Sequence, residues 1–275
     1  MGTPLHNAPL LIAHRGAGAG LTNPHSPPEN TLAAFEWAYG QGICACECDV
    51  QLTRDGVIVV FHDFSAQRTA GADLHLGRLT LDEVRALDAG LWKGEAWAGC
   101  TVPTLEELLP IVPTGAHLLI ELKPGPQIIP SLAAILSSQN SIVPGLILAS
   151  FNLDTITEAK KRLPQIPCLW VLDFERSSQK DWVACYRQGG VQGAAIRRPA
   201  DPEQLLSVVK SAGLDGFDFG LSCPPTVWQR AVNEDMIVIF WTVNRLDIAQ
   251  RLLRSGVTGL TTDHPLALHT LLLAP

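Results

Sequence analysis

ICACECDVQLTRDGVIVVFHD, residues 43–63, contains two apolar runs, ICACECDV (43–50) and VIVVF (57–61), separated only by QLTRDG. Both runs are too short for helices and read as strands, the second being rich in β-branched residues. No helix fits between them. With Asp55-Gly56 as the turn, antiparallel pairing sets Glu47 opposite His62. A barrel would instead ask for parallel strands joined by a tight crossing. Either arrangement brings Glu47, Asp49 and His62 near one another.

Working outward, similar runs recur along the chain: LLIA (10–13), HLLIEL (117–122), GLILASF (145–151), PCLWVL (167–172), GFDFG (216–220), MIVIFW (236–241) and GLTT (259–262). Helical segments with recognisable starts lie between them. Asn30 precedes TLAAFEWAY, Thr80 with Glu83 and Thr104 with Glu107 form capping boxes, and Asp201-Pro202 opens EQLLSVVKSAG. Near-continuous apolar strands alternating with helices imply a parallel sheet covered by helices. The nine candidate strands fit a single TIM-type (β/α)8 barrel with one strand to spare. No linker divides the chain, so residues 1–275 read as one catalytic domain, with residues 64–104 as a loop-rich insertion after the third strand.

Composition limits the partners. The 275 residues are 47 % apolar and 17 % charged, which suits one large globular domain. A net charge of −7 without any Lys/Arg run argues against nucleic acid or an anionic membrane surface. The start, MGTPLHNAPLLIAHRG, lacks a basic n-region, and no stretch approaches the roughly 20 apolar residues of a membrane span. Cys44, Cys46 and Cys48, three of seven cysteines, alternate along one strand and read as small buried hydrophobes in a reducing, cytoplasmic compartment. The paired spacing of a zinc site is missing.

The polar residues gather at strand ends. Glu47 and Asp49, two apart on a strand, point to one face, and two neighbouring carboxylates call for a cation between them. A hard divalent ion such as Mg²⁺ or Ca²⁺ meets that need, and Glu121 at the end of HLLIEL can complete a three-carboxylate site. Lys123, two residues further on, lies on the same side and can reach an anion. His14 follows LLIA and His62 follows VIVVF, and two imidazoles at matching places suit general acid–base work near neutral pH. Arg15 offers a fork of donors to phosphate oxygens.

HRG (14–16), PENT (28–31), ECDVQLTRDG (47–56), VVFHD (59–63), IELK (120–123), WTVN (241–244) and TTDHP (261–265) together resemble the glycerophosphodiester phosphodiesterases, in that family's order and over essentially the whole chain. The resemblance implies a TIM-type barrel that hydrolyses glycerophosphodiesters to sn-glycerol 3-phosphate and an alcohol with calcium or magnesium. It places the metal ligands on Glu47, Asp49 and Glu121, the catalytic histidines on His14 and His62, and the phosphate contacts on Arg15 and Lys123. Glu29 in PENT lies where it can orient Arg15 or serve helix initiation. Phe151 and Trp241 resemble aromatic residues that pack the glycerol moiety.

Two segments depart from the family pattern: the long AGAGLTNPHSP link (17–27), with His25 as a possible contact, and an extended 173–214 region carrying Arg197 and Arg198. The same groups could serve a lyase releasing a cyclic phosphate, or a barrel that binds phosphoesters without turnover.

Overall fold

The computed structural model describes residues 9–19, 25–138, 145–177, 181–188 and 194–273, so residues 1–8 and 20–24 of the N-terminal readings lie outside the described residues. Its strands are β1 (Leu10–Ala13), β2 (Ala45–Leu52), β3 (Ile58–Val60), β4 (His117–Leu122), β5 (Leu146–Ser150), β6 (Cys168–Arg176), β7 (Trp182–Gln188), β8 (Ala194–Pro199), β9 (Gly216–Gly220), β10 (Ile237–Trp241) and β11 (Gly259–Thr262). Eight of these close a parallel barrel in the order β1-β2-β4-β5-β6-β9-β10-β11, with β11 pairing back to β1. Helices α1 (Leu32–Gly40), α2 (Gln67–Ala70), α3 (Leu81–Arg85), α4 (Leu105–Leu108), α5 (Ile129–Ser138), α6 (Leu153–Arg162), α7 (Pro202–Ser211), α8 (Pro225–Val232), α9 (Leu246–Arg254) and α10 (Pro265–Leu273) follow in chain order. The fold is a TIM barrel. Among the described residues no helix is long and apolar enough to cross a membrane.

Alternation along β2 shows how the barrel sorts its side chains. Cys46, Cys48 and Val50 enter the layer between strands and helices, while Ala45 packs inside the barrel with Ile12, Leu119, Ile147, Leu169 and Ile239. Glu47 and Asp49 stand above Ala45 on that inner face, so the barrel interior turns from apolar to acidic toward the strands' C-terminal ends. Cys44 precedes the strand and is exposed, unlike the two buried thiols after it. All seven cysteines are unpaired.

The ninth sequence-predicted strand is β3, which pairs antiparallel with β2 in the register Val50↔Val60, Gln51↔Val59, Leu52↔Ile58. The expected Glu47–His62 pairing is one residue out of register. The cause is the turn: Thr53 and Val57 close a three-residue loop, the Thr53 N–H donating to the Val57 carbonyl at 2.9 Å, with Gly56 left-handed at φ 85°. Beyond β3 the chain makes short helical turns over a buried cluster of its own, including Phe61, Leu76, Val84 and Val102. Past the barrel mouth β6 continues into an antiparallel hairpin, β7 and β8, which accounts for the long 173–214 region.

Both capping boxes form, and the Asp201 carboxylate caps α7. Asn30 does not cap α1. Thr31 occupies the N-cap without a side-chain capping bond, its hydroxyl donating to the Pro28 carbonyl at 2.7 Å, and the Asn30 side chain turns toward β2.

Candidate active site

The loop after β1 is built on left-handed residues: Arg15 at φ 53°, Gly16 at 86° and Gly18 at 98°. For Arg15 that conformation costs about 1–2 kcal/mol, and it aims the backbone inward. The Arg15 N–H donates to Glu47 Oε2 at 2.8 Å, its Nη1 donates to Glu29 Oε1 at 2.7 Å, and its Nε lies 3.3 Å from Asp49 Oδ2. Burial opposes the guanidinium charge, but Asp49, Glu29 and Glu47 outweigh it and hold the group ionised.

Glu47, Asp49 and Glu121 each offer an oxygen within 4.8 Å of the others. Parallel pairing sets Asp49 beside Glu121, so adjacent strand ends bring them together. Lys123 Nζ sits 2.8 Å from Asp49 and 2.6 Å from Glu121. Its buried ammonium is kept charged by those carboxylates, against the desolvation that would lower its pKa. Burial, then repulsion from Asp49 and Glu121, pushes the Glu47 carboxyl well above the usual range despite Arg15. Asp49 moves the other way: burial opposes its charge, yet Lys123, His62 and Arg15 prevail and hold it well below.

Each histidine is tied by Nδ1 to a carboxylate. His14 meets Asp263 at 2.7 Å and His62 meets Asp63 at 2.5 Å. For both aspartates burial resists ionisation, but the bond to histidine and further donors lower the pKa well below the ordinary value. An ionised carboxylate only accepts, so each Nδ1 carries a proton, which leaves Nε2 to work as a base when bare and as an acid when protonated. Asp263 also accepts from Asn244 Nδ2 at 2.8 Å and from the Ala19 N–H at 2.9 Å. Arg68 joins the other half, its Nε donating to Asp63 at 2.6 Å and its two terminal nitrogens to Glu29 at 2.7 and 2.9 Å.

A family model, the Glycerophosphoryl diester phosphodiesterase family, matches residues 14–267. The chain belongs to this family. Membership makes it a phosphoric diester hydrolase. It is 29 % identical over 260 residues to the glycerophosphodiester phosphodiesterase of Caldanaerobacter subterraneus subsp. tengcongensis, covering 93 % of this chain and 94 % of that one. It is 32 % identical over 262 residues to YhdW of Bacillus subtilis, again covering 93 % and 94 %. Among solved structures it resembles an Oleispira antarctica phosphodiesterase in complex with the product sn-glycerol-3-phosphate, at 26 % identity and TM-score 0.79, over 97 % of this chain and 98 % of that one.

In this glycerophosphoryl diester phosphodiesterase family member a cavity of about 190 Å³ at the barrel mouth is lined by His14, Arg15, Glu47, His62, Glu121 and Lys123. Phe151 and Trp241 also line it and pack edge to face, ring centroids 5.7 Å apart. Asp49 lies beneath, 1 % exposed. Glu29 is buried behind Arg15, bridging it to Arg68. His25 is exposed, and Arg197 pairs with Glu175 on the outer hairpin; neither lines the cavity.

Sequence reasoning passed over five polar residues. Asn30, whose Nδ2 donates to Asp49 Oδ2 at 2.9 Å, was read as a cap. Asp263 and Asn244 stood in quoted motifs without a role, and Arg68 carried no signal. Asp218, centred in GFDFG, is 6 % exposed and lines the cavity. Burial, and then the charge of Glu121, push its carboxyl well above the usual range. Among the described residues its Oδ1 has no hydrogen-bond partner, and neither do Thr261 Oγ1 and Trp241 Nε1 in the same cavity. A buried polar atom left unpaired costs about 1–3 kcal/mol.

Proposed function

We propose that this chain hydrolyses glycerophosphodiesters to sn-glycerol 3-phosphate and an alcohol, with a divalent metal ion and a two-histidine acid–base pair. The observation that carries the reading is the convergence in one cavity of two imidazoles, each with Nδ1 anchored to an ionised aspartate, and a three-carboxylate cluster. The Oleispira antarctica relative, seen with sn-glycerol-3-phosphate, supports the substrate class.

The residues present fit Mg²⁺ or Ca²⁺. Glu47, Asp49 and Glu121 supply only hard oxygen donors, and Glu47 is left short of positive charge by its surroundings. Bound there, the ion would polarise a phosphoryl oxygen and offset charge developing on it. The chain's own groups do the rest. Arg15 and Lys123 hold the phosphate, with Glu29 and Asn30 fixing the groups around them. His14 Nε2 takes the proton of the attacking hydroxyl, and His62 Nε2–H returns one to the departing alcohol oxygen. Phe151 and Trp241 pack the carbon skeleton of the glycerol. Residues 1–275 act as one catalytic domain, with residues 64–104 as an insertion that supplies Arg68. A cytoplasmic location rests on the seven unpaired thiols.

The test is hydrolysis of glycerophosphocholine and glycerophosphoethanolamine with magnesium, calcium or manganese. Turnover should stop on chelation and fall at least about 100-fold in Glu47→Gln. Full activity of Glu47→Gln in excess EDTA would overturn the metal assignment. Failure to cleave either substrate with any of the three ions would overturn the hydrolase reading.

A further inference from the structure

A second cavity of about 340 Å³ adjoins the catalytic one and shares His62, Glu121, Lys123 and Phe151 with it. With the phosphate held at that shared wall, the alcohol whose oxygen His62 protonates extends into the second cavity. Phe64, Asn152 and Arg187 line the second cavity and not the first. Arg187 comes from β7, in the 173–214 region where this chain departs from the family pattern. The hairpin that carries it is docked at two places: β7 pairs antiparallel with β6, and the Arg187 N–H donates to the Phe151 carbonyl, just past the end of β5, at 2.8 Å. The Asn152 side chain beside it accepts from the Thr155 N–H and caps α6. Arg187 is thus delivered to the second cavity by fixed backbone.

We propose that Arg187 selects the leaving alcohol, favouring glycerophosphodiesters whose head group carries an anionic group, a carboxylate being the smallest. The charges around it point that way. Of the two carboxylates in the second cavity, Asp63 is bound to His62 and Arg68, and Glu121 to Lys123. The Arg187 guanidinium lies over the Phe64 ring, 5.9 Å from its centroid. An aromatic ring supports the apolar face of a guanidinium and leaves its N–H edge for paired oxygens of an anion. A quaternary ammonium head group is served worse. It binds best on open aromatic faces, but Phe64 already carries Arg187 and His75, the latter stacked at 6.0 Å, and Phe151 is packed against Trp241. Arg187 also repels it. The proposal rests on the phosphodiesterase reading for the role of His62, but its binding test does not depend on turnover.

The probes differ by one carboxylate: O-phosphoserine against phosphoethanolamine for binding by calorimetry, and glycerophosphoserine against glycerophosphoethanolamine for kcat/KM, all with Mg²⁺ present. Arg187 is exposed, so solvent weakens the contact, and the wild type should favour the serine compound by about 3–10-fold at low ionic strength. That preference should shrink as salt is raised. Arg187→Gln should bring both ratios to about one, Arg187→Glu should invert them, and Arg187→Lys should keep part of the preference. The backbone bond to Phe151 survives in all three variants. A wild type that does not distinguish the two head groups in either ratio overturns the proposal. So does an Arg187→Gln protein that keeps the wild-type ratios, or one that loses both substrates in equal proportion, which would make Arg187 structural. A wild type that cleaves nothing, yet binds O-phosphoserine tighter in a way that Arg187→Gln removes, overturns only the hydrolase reading.

Discussion

His14 and His62 carry the same kind of anchor in different surroundings. The His14 side chain is 14 % exposed beside Arg15, and its partner Asp263 is held by two further donors. The His62 side chain is 30 % exposed and also borders a second cavity with Phe64, Asn152 and Arg187, where a departing alcohol has room. On the proposed mechanism, that asymmetry suits His14 to the role of base and His62 to that of acid. A nitrophenyl ester needs little protonation of its leaving oxygen, so His62→Ala should lose far less activity on it than on glycerophosphocholine, whereas His14→Ala should lose about 100-fold or more on both. The reverse selectivity in steady-state assays would exchange the two roles. Asp263→Asn frees Nδ1 of its charged partner and should lower kcat more than it raises KM, since the imidazolium formed in the reaction loses its counter-charge.

At the scale of elements, the β1–α1 loop depends on close backbone approach. A Cβ at Gly18 would lie 2.3 Å from the Asp263 carbonyl oxygen, whereas one at Gly42, also left-handed at φ 80°, would meet nothing within 4 Å. Gly42→Ala should therefore cost only about 1 kcal/mol of left-handed strain. Gly18→Ala should cost more and, by displacing Asp263 from His14, also reduce kcat; thermal melts and kinetics on the pair separate strain from displacement. Such contacts also mark how far the sequence could be read. HLLIEL, GFDFG and GLTT are strands over the same residues in sequence and structure, because buried parallel strands are short apolar runs with clear ends. The hairpin strand β8 escaped notice because nearly all of AAIRRP is exposed, and β7 because WVACYRQ, although it opens with an apolar run, buries only Ala184 and Tyr186 and belongs to no β-α repeat. The carboxylates and histidines were legible from strand-end placement. Their partners were not: Asp263 lies 249 residues from His14, and Asn30 gives its amide to β2 instead of to the adjacent helix, and neither pairing has a local pattern.

Across the whole molecule the site's carboxyls pull stability in opposite directions with pH. Asp63 and Asp263 are depressed in the folded state, chiefly against burial and through their hydrogen bonds to His62 and His14. Below an ordinary aspartate pKa of about 3.9 the unfolded chain takes up protons that these groups refuse, so their contribution, complete above that pH, is lost as pH falls toward their folded values. Glu47 is raised, by burial and by its acidic neighbours. Above about pH 4.3 the unfolded chain has released this proton while the folded chain keeps it, so stability falls as pH rises until the folded carboxyl itself ionises. The metal-free protein should accordingly be most stable in the mildly acidic range. A divalent cation that favours the ionised carboxylate relieves the upper limb, adding about 2.7 kcal/mol at 100 times its dissociation constant, or roughly 5–10 °C in melting temperature for a chain of this size. Melting curves from pH 3 to 8 with EDTA or with saturating Mg²⁺ or Ca²⁺ read this directly. The gain from metal should grow with pH, and Glu47→Gln should remove both the fall above about pH 4.3 and most of the metal's effect. A wild-type melting temperature that ignores both ions at pH 8 would refute a metal site built on Glu47, whatever the protein hydrolyses.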